Sequence, residues 1–275
     1  MRVLLTGAGG QLGQAVRGAF GRHAVVACTH AELDVAEPEA VRATLDRVEP
    51  DLVLNAAAYT AVDAAEDDAA AAFRGNAEGP RQLALATAER GIALAHVSTD
   101  FVFDGSKPTP YHELDVTHPL SVYGRSKLAG EEEVARLNPR HYVVRTAWLY
   151  SPVRRNFALT LRELGKQGEV RVVSDQWGSP TYAPHLAEGL ARLIETGDYG
   201  LHHLANAGVA SRDELARALF EALRMRVRVE PIPTSAWPSR AVRPRQSALV
   251  SLRQTGVALP DWQAGVSAWA EAVAG

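Results

Sequence analysis

The sequence is poor in cysteine, methionine and lysine, with one Cys, two Met and three Lys among 275 residues. The single thiol, Cys28, excludes an intrachain disulfide and a zinc site built from several cysteines. No run of 18 apolar residues is present, and Met1 and Arg2 lead into a short apolar segment without the long apolar region of a signal peptide. We therefore expect a soluble, cytoplasmic protein without a membrane partner.

The chain also lacks an excess of positive charge. Its formal net charge is −3 and its pI is about 6.3, so general attraction to nucleic acid is not expected. Arginine-rich stretches at residues 224–228 and 240–245 are local, and a solvated or ion-paired surface explains them as well as a binding role does. Hydrophobic residues make up 47% of the chain, enough for one large core with a smaller second lobe.

The first 150 residues contain a regular alternation of short apolar segments and longer helical segments. Short β-branched runs alternate with longer Ala-rich stretches, which is typical of an α/β protein with a doubly wound parallel sheet of the Rossmann type. Strands are predicted at residues 2–6, 24–28, 52–55, 93–98 and 142–145. Helices are predicted at residues 11–20, 38–48, 62–90 and 122–137, the third with an interruption near Phe73.

Loop-forming residues become more frequent after Tyr150, and the alternation weakens. A helix at 184–195 and a strand at 200–204 are nevertheless predicted to return to the sheet. We therefore assign residues 1–150 and about 182–205 to an NAD(P)-binding domain, and about 151–181 and 206–275 to a discontinuous C-terminal substrate lobe.

A glycine-rich loop follows the first predicted strand and opens the first helix. Gly7 permits a tight turn, Gly10 lets the backbone approach a pyrophosphate, and Gly13 lets helix and strand pack closely. The phosphates then meet the free N–H groups at the helix start. The residues expected to bind a nicotinamide dinucleotide are Gly7, Gly10, Gln11, Leu12 and Gly13, with a plain glycine-rich turn as the alternative.

The end of the second strand bears on the choice of cofactor. NAD sites usually carry Asp or Glu there for the ribose 2′-OH, whereas this chain reads Cys28-Thr29-His30 with no acid until Glu32. A 2′-phosphate would meet no repulsion, so we expect NADPH, with NADH also accepted. His30 or an arginine such as Arg22 is a candidate for holding the 2′-phosphate.

Two further segments are expected to border the cofactor. Asp34 and Val35 precede a helix, where a carboxylate can accept from the adenine amino group while its apolar neighbour packs on the ring. An Asx turn or a helix cap explains Asp34 equally well. Small side chains end the third strand and leave room for a cofactor over the carboxyl ends of the strands, namely Ala56, Ala57 and Ala58.

The spacing of Tyr123 and Lys127 places a phenol and an ammonium on one face of the predicted helix 122–137. A cation favours the phenolate, so Lys127 is expected to lower the pKa of Tyr123 from its usual value near 10. Ser98 or Thr99, at the end of the fourth predicted strand, supplies a hydroxyl that donates to the carbonyl oxygen which Tyr123 protonates. These residues predict a carbonyl reductase or alcohol dehydrogenase.

Together these blocks resemble the extended short-chain dehydrogenase/reductases and, within them, the dTDP-4-dehydrorhamnose reductase family. The match spans nearly the whole chain, and the combination of blocks is specific. It covers the glycine loop and residues 55–63, 98–105, 123–131, 145–150, 156–157, 175–181 and 243–249.

The resemblance implies reduction of the 4-keto group of dTDP-4-dehydro-β-L-rhamnose by NAD(P)H, with this nucleotide sugar as the small-molecule partner. It makes Tyr123 the proton donor, Thr99 the carbonyl-polarising hydroxyl and Lys127 the ribose-binding residue that modulates the tyrosine pKa. Trp148 would stack on or bound the deoxysugar, an ordinary core aromatic being the alternative. The further positions expected at the site are Tyr59 for the cofactor and Asp100, Asn156 and Arg243 for the substrate, with Arg243 or Arg245 holding the diphosphate.

Departures from the family pattern narrow these expectations. Phe101 stands where related dehydratases carry a glutamate, so dehydration lacks its acid, and Ala15 replaces the glutamate that some members use in a metal-bridged dimer. We therefore predict no metal site, leave a requirement for a divalent ion open, and expect a monomer or homodimer. The alternatives are a non-catalytic NADP-binding regulatory subunit resembling that of methionine adenosyltransferase, and another nucleotide-sugar reductase or an epimerase.

Overall fold

The short apolar runs and Ala-rich stretches form twelve strands and nine α-helices within residues 1–274, which the computed structural model describes. The strands are β1 Arg2–Thr6, β2 Ala24–Cys28, β3 Leu52–Asn55, β4 Ala93–Thr99, β5 His141–Thr146, β6 Leu149–Tyr150, β7 Glu169–Val173, β8 Trp177–Gly178, β9 Thr181–Tyr182, β10 Gly200–His203, β11 Ala210–Ser211 and β12 Arg228–Ile232. The helices are α1 Gln11–Ala19, α2 Pro38–Val48, α3 Ala69–Phe73, α4 Gly79–Ala88, α5 Val122–Leu137, α6 Phe157–Gly165, α7 Ala183–Leu193, α8 Arg212–Ala222 and α9 Trp262–Ala274.

Six parallel strands pair in the order β10-β5-β4-β3-β1-β2. This arrangement confirms the predicted Rossmann-type sheet. Every residue of β3 is buried because helices cover both faces of the sheet. The strand order reverses between β1 and β3, and ligands of such sheets bind in the crevice outside the carboxyl ends of the strands at that point.

Helices on the two faces of the sheet bury different sets of side chains. Val3 packs with α1 and α7, whereas Leu4 packs with α2, α4 and α5. Neighbouring residues of one strand point to opposite faces, which accounts for this division. Within residues 1–274, every helix falls short of the length and apolar character that crossing a membrane demands.

The loop-rich second half of the sequence forms a separate apolar cluster beside the sheet. It is built around α6, α8 and α9, with β7 and β12 paired in parallel, and Trp269 at its centre is fully buried. This cluster is a core of its own, separate from the two clusters that flank the sheet.

The predicted helix 62–90 is interrupted, and the break expected near Phe73 is confirmed. A 3₁₀ turn at Ala64–Glu66 precedes α3, and a π-helical turn at Arg74–Glu78 separates α3 from α4. The wider turn carries Asn76, whose side chain is buried and bonds to the chain after β3. Such π turns often occur at functional sites.

A buried ion pair fastens α5 to the sheet. Arg145 on β5 donates from Nη2 to Oε2 of Glu131 at 2.6 Å and from Nε to Oε1 at 3.0 Å. Both side chains are almost fully buried. Since α5 also carries Tyr123 and Lys127, this pair fixes the height of both residues over the sheet.

Glu131→Gln is expected to lower the free energy of unfolding by about 3–5 kcal/mol, because it leaves the Arg145 guanidinium buried without its countercharge. Urea denaturation measures this loss. Glu132→Gln, one residue along on the exposed face, is the matched control and should change stability by less than about 0.5 kcal/mol. Equal losses in both variants would contradict a special role for the buried pair.

Candidate active site

The glycine loop between β1 and α1 is shaped by close backbone contacts. Gly7 has a φ of +71°, and a Cβ there would lie 2.5 Å from the Ala57 nitrogen. A Cβ on Gly13 would lie 2.4 Å from the Gly7 carbonyl oxygen. A larger residue at either position would distort the loop, which packs against the chain that follows β3.

The start of α1 keeps free amide donors. Gly10 caps this helix without a side-chain hydrogen bond, and within residues 1–274 the amides of Gln11, Leu12 and Gly13 find no acceptor. These donors and the positive end of the helix dipole suit a phosphate anion. The Gln11 side chain accepts from the Ser151 hydroxyl at 2.9 Å, and the Leu12 side chain is buried in the core. The loop therefore fits a dinucleotide through its backbone.

The end of β2 carries a carboxylate that the order of residues did not suggest. Glu32 folds back so that its Oε2 accepts from the Thr29 amide at 2.7 Å and from the Thr29 hydroxyl at 2.8 Å. Residues 28–30 carry no acid, as the sequence indicated, but the fold brings the Glu32 carboxylate back to this position, where it can accept from a ribose 2′-OH. Arg22 lies beside Met1 and Ala24 at the amino-terminal edge of the sheet, which removes it as a candidate for the 2′-phosphate.

The loop after β2 holds Asp34 in an Asx turn, one of the two readings that the sequence offered. Its Oδ1 accepts from the Ala36 amide at 3.0 Å, and its Oδ2 accepts from Arg74 at 2.8 Å. Val35 is buried in the core between β1 and α4, and His30 is exposed. Adenine binding by Asp34 and Val35 stays a prediction.

The segment after β3 is tied to α5 by a side chain that sequence reasoning missed. Asn76 accepts from the Tyr59 amide at 2.9 Å and donates to the Tyr59 carbonyl at 3.0 Å. It also donates at 3.0 Å to the Ser126 hydroxyl, which lies within one turn of Tyr123. The only sequence signal for this residue was the expected break in the long helix.

A buried chain of hydrogen bonds crosses the sheet to α5. The parallel register sets Thr6 beside Asn55 and Asn55 beside His96. The Thr6 hydroxyl donates to Asn55 Oδ1 at 2.7 Å, and Asn55 Nδ2 lies 3.0 Å from His96 Nδ1. The Ala57 amide also donates to Asn55 Oδ1, at 3.1 Å, so the Asn55 NH₂ group must face His96. His96 Nδ1 therefore accepts, and the neutral imidazole carries its proton on Nε2.

His96 Nε2 lies 3.3 Å from the Nζ atom of Lys127. An amine at this position accepts from the imidazole N–H and still donates to the Val97 carbonyl at 2.7 Å, whereas an ammonium opposes one N–H with another. Burial acts in the same direction and lowers the pKa of Lys127 to about 8, against a raising effect of Glu131. Burial and then the Lys127 charge hold the pKa of His96 well below its usual value. Lys127 is thus mainly protonated at neutral pH, but its pKa lies only about one unit above that pH.

The pKa of Tyr123 shifts in the direction opposite to the one predicted from its spacing with Lys127. Burial raises the pKa of Tyr123 to about 12, while the Thr99 hydroxyl lowers it and the Asp100 charge raises it. The predicted lowering by Lys127 is wrong for this structure, because burial dominates and the lysine amine is held by His96 and a β4 carbonyl. The phenol therefore stays protonated at neutral pH, the state that a proton donor needs.

The end of β4 brings Thr99 to the phenol of Tyr123. The Thr99 hydroxyl lies close enough to that phenol to act on its pKa, whereas Ser98 Oγ is buried without a hydrogen-bond partner in residues 1–274. Thr99 also donates to Asp100 Oδ1 at 3.0 Å. The second carboxylate oxygen of Asp100, Oδ2, is buried and has no partner in the described part of the chain.

Trp148 and Asn156 lie on the side of the second lobe. Trp148 has a φ of +45°, a left-handed conformation that is uncommon for an aromatic residue, and a Cβ on Gly178 would lie 2.3 Å from its Cε2 atom. Asn156 caps α6 by accepting from the Leu159 amide at 3.1 Å, and it donates to the Ser151 carbonyl at 2.9 Å. Its amide is thus used within the chain, and substrate binding by Asn156 stays a prediction.

Two arginines from the second half of the chain make specific side-chain contacts. Arg243 is engaged by Asp63, with Nη2 2.7 Å from Oδ2 and Nη1 3.1 Å from Oδ1, and this contact lowers the pKa of Asp63 to about 2. Arg212, which no sequence motif marked, places its guanidinium 3.6 Å from the ring centroid of Trp148.

Within residues 1–274, no group of three or more His, Cys, Asp or Glu side chains is placed to hold a metal ion.

Asp100→Asn is expected to stabilise the fold at about pH 7.5. Burial raises the pKa of Asp100 from 3.8 to about 6, which corresponds to about 3 kcal/mol lost by the wild type once the carboxylate ionises. The folded state favours the protonated acid, so the variant's advantage should be full above about pH 6 and should shrink as the pH falls toward 4. Urea unfolding of both proteins across this range measures it. A variant less stable than the wild type at about pH 7.5 would contradict the burial of an ionised carboxylate.

Similarity to known proteins extends over the whole chain. Residues 1–274 match the family model described as RmlD substrate binding domain. A dTDP-4-dehydrorhamnose reductase of Mycolicibacterium smegmatis is 42% identical, with 100% of this chain and 86% of that protein covered. A Streptomyces antibioticus protein named "Probable dTDP-4,6-dihydroxy-2-methyloxan-3-one 4-ketoreductase" is 43% identical, with 97% of this chain and 93% of that protein covered.

Solved structures agree with the sequence comparisons. The crystal structure of dTDP-4-dehydrorhamnose reductase from Bacillus anthracis in complex with NADP matches at 36% identity with a TM-score of 0.95, over 98% of each chain. The family resemblance drawn from the sequence motifs is thereby confirmed. This chain belongs to the RmlD substrate binding domain family, together with the dTDP-4-dehydrorhamnose reductases.

Proposed function

We propose that this protein reduces the 4-keto group of dTDP-4-dehydro-β-L-rhamnose with NADPH to give dTDP-β-L-rhamnose. The observation that carries the proposal is the arrangement at the end of β4, where the Thr99 hydroxyl acts on the pKa of the Tyr123 phenol. Two neighbouring hydroxyl donors suit a carbonyl oxygen. Similarity to dTDP-4-dehydrorhamnose reductases over the full length of the chain supports the same reaction.

The residues at the carboxyl edge of the sheet fit a dinucleotide. The glycine loop and the free amides at the start of α1 would hold its pyrophosphate. When bound there, NADPH supplies the hydride that reduces the carbonyl carbon. Lys127 would donate to the nicotinamide ribose, since its Nζ already serves as a hydrogen-bond donor at this edge. The NADP held by the Bacillus anthracis relative supports this choice of cofactor.

Tyr123 would act as the acid. With a pKa of about 12 the phenol is protonated at neutral pH and can give its proton to O4 as the carbonyl becomes an alkoxide. Thr99 would donate to the same oxygen and so stabilise charge that appears only in the transition state.

A second keto sugar is a specific alternative. The Streptomyces antibioticus relative is named as the probable 4-ketoreductase of a different dTDP sugar, at 43% identity against 42% for the Mycolicibacterium smegmatis reductase. The same acid serves both reductions, so the two proposals differ only in the sugar, and kcat/KM for the two keto sugars decides between them. Stoichiometric consumption of NADPH separates either reductase from an epimerase or a regulatory subunit.

The monomeric or homodimeric state and the cytoplasmic location remain predictions.

Tyr123→Phe is expected to lower kcat about 10²–10⁴-fold, because it removes the proton donor and keeps the ring. The loss of NADPH absorbance in the presence of dTDP-4-dehydro-L-rhamnose measures this, and NADPH affinity should change less than about threefold. Tyr199→Phe is the matched control, since that phenol only accepts from Arg140, away from the site. An unchanged kcat in Tyr123→Phe would remove Tyr123 as the acid.

Glu32→Gln is expected to raise the ratio of kcat/KM for NADPH to that for NADH by about tenfold. The substitution removes a negative charge that repels a 2′-phosphate and weakens an acceptor for a 2′-OH. Initial rates with each cofactor measure the ratio. Glu39→Gln on the exposed side of α2 should leave it unchanged, and an unchanged ratio in Glu32→Gln would place the 2′ position elsewhere.

A further inference from the structure

Arg212 is the first residue of α8, a position that does not favour a cation. The helix dipole concentrates partial positive charge at this end, where acidic side chains are preferred. Asp213 and Glu214 follow that preference, and Ser211 forms a capping box with Glu214 in which Ser211 Oγ accepts from the Glu214 amide at 3.2 Å. Arg212 thus gains nothing from the helix dipole, while the capping box holds its backbone in place.

The Arg212 side chain is positioned by the wall of the candidate site. Its guanidinium carbon lies 3.6 Å from the ring centroid of Trp148 and 5.2 Å from that of Phe157. The backbone of Gly178 occupies space next to the same indole, where a Cβ would lie 2.3 Å from a ring atom. The indole is therefore held between Gly178 and Arg212, and the stacked guanidinium stays beside the sugar site.

The charge of Arg212 has no close partner within the described part of the chain. In residues 1–274, no carboxylate oxygen lies within 4.0 Å of its guanidinium, which donates no hydrogen bond there. Arg212 is only half-buried, and its nitrogens are not enclosed on every side. Burial lowers the pKa of Arg212 to about 10, with the more distant Asp100 acting against this shift and Arg243 adding repulsion. An anion bound to Arg212 would offset both the cost of burying its charge and the repulsion from Arg243.

The two arginines expected from the sequence to hold a diphosphate are placed differently. Arg243 closes its guanidinium fork on the Asp63 carboxylate. Arg245 is exposed and lies 5.7 Å from the ring of Trp177. Of these three arginines, Arg212 alone combines free donors with contact to Trp148.

We propose that Arg212 binds the diphosphate of the nucleotide-sugar substrate, an inference that rests on the proposed function. C1 and C4 lie at opposite ends of a pyranose ring. A sugar whose C4 carbonyl meets Tyr123 and Thr99 therefore directs its C1 diphosphate away from α5, toward the second lobe. Arg212 comes from that lobe, and a guanidinium can bind two phosphate oxygens at once.

Binding of dTDP alone tests this proposal without requiring catalysis. Isothermal titration calorimetry should give a Kd for dTDP about 10–100-fold higher in Arg212→Met than in the wild type, as expected for lost hydrogen bonds to a charged group. Arg212→Lys keeps the charge without the fork and should fall between the two. Thymidine, which lacks phosphate, should bind all three proteins equally. Arg217→Met, farther along the exposed side of α8, is the matched control and should bind dTDP like the wild type.

Unchanged dTDP affinity in folded Arg212→Met and Arg212→Lys would overturn the proposal, as would equal weakening of dTDP and thymidine. A large loss in Arg245→Met with none in the Arg212 variants would move the diphosphate to Arg245. If Arg212→Met fails to fold by circular dichroism, the Arg212→Lys titration decides alone. A wild type that binds dTDP through Arg212 but does not oxidise NADPH with the keto sugar would remove the proposed reaction and leave the diphosphate site standing.

Discussion

The hydrogen-bond chain from Thr6 through Asn55 and His96 to Lys127 is the constraint on which the geometry of this site depends. It forms because β1, β3 and β4 are adjacent and in register, so that the first three side chains lie side by side. All four residues are at most 2% exposed, and such burial is tolerated because Thr6, Asn55 and Lys127 each donate a hydrogen bond within the protein. The backbone amide of Ala57 orients the chain, which couples the segment after β3 to the protonation state of Lys127.

Burial is the common cause of the unusual acid–base properties in this cleft. It raises the pKa values of Tyr123 and Asp100 and lowers those of Lys127 and Arg212. Each shift favours the neutral form, as expected where water is displaced by protein. For a reductase the direction suits the acid, since a protonated phenol is ready to donate. The same burial makes the charged forms of Asp100, Lys127 and Arg212 costly. A polar or anionic substrate that binds to these groups would offset part of that cost.

The second lobe completes the site through contacts that join distant parts of the chain. Trp148 takes up a left-handed backbone conformation that only a supporting structure maintains, and Gly178 and Arg212 supply that support. The ion pair of Asp63 and Arg243 links the loop after β3 to the segment that follows β12. Both sets of contacts therefore join parts of the chain that are far apart in sequence.

The amino-acid sequence by itself determined the sheet, the glycine loop and the pairing of Tyr123 with Lys127 on one helix, because strand alternation, helix periodicity and loop geometry are local properties. It also identified the family, since the motif blocks are contiguous. Only the tertiary structure decided the direction of the Tyr123 pKa shift, which depends on burial by residues far away in the chain. The return of Glu32 to the end of β2, the closure of Arg243 on Asp63 and the placement of Arg212 on Trp148 are likewise set by contacts across the fold. Side-chain direction and dielectric environment arise from packing, and no spacing along the chain encodes them.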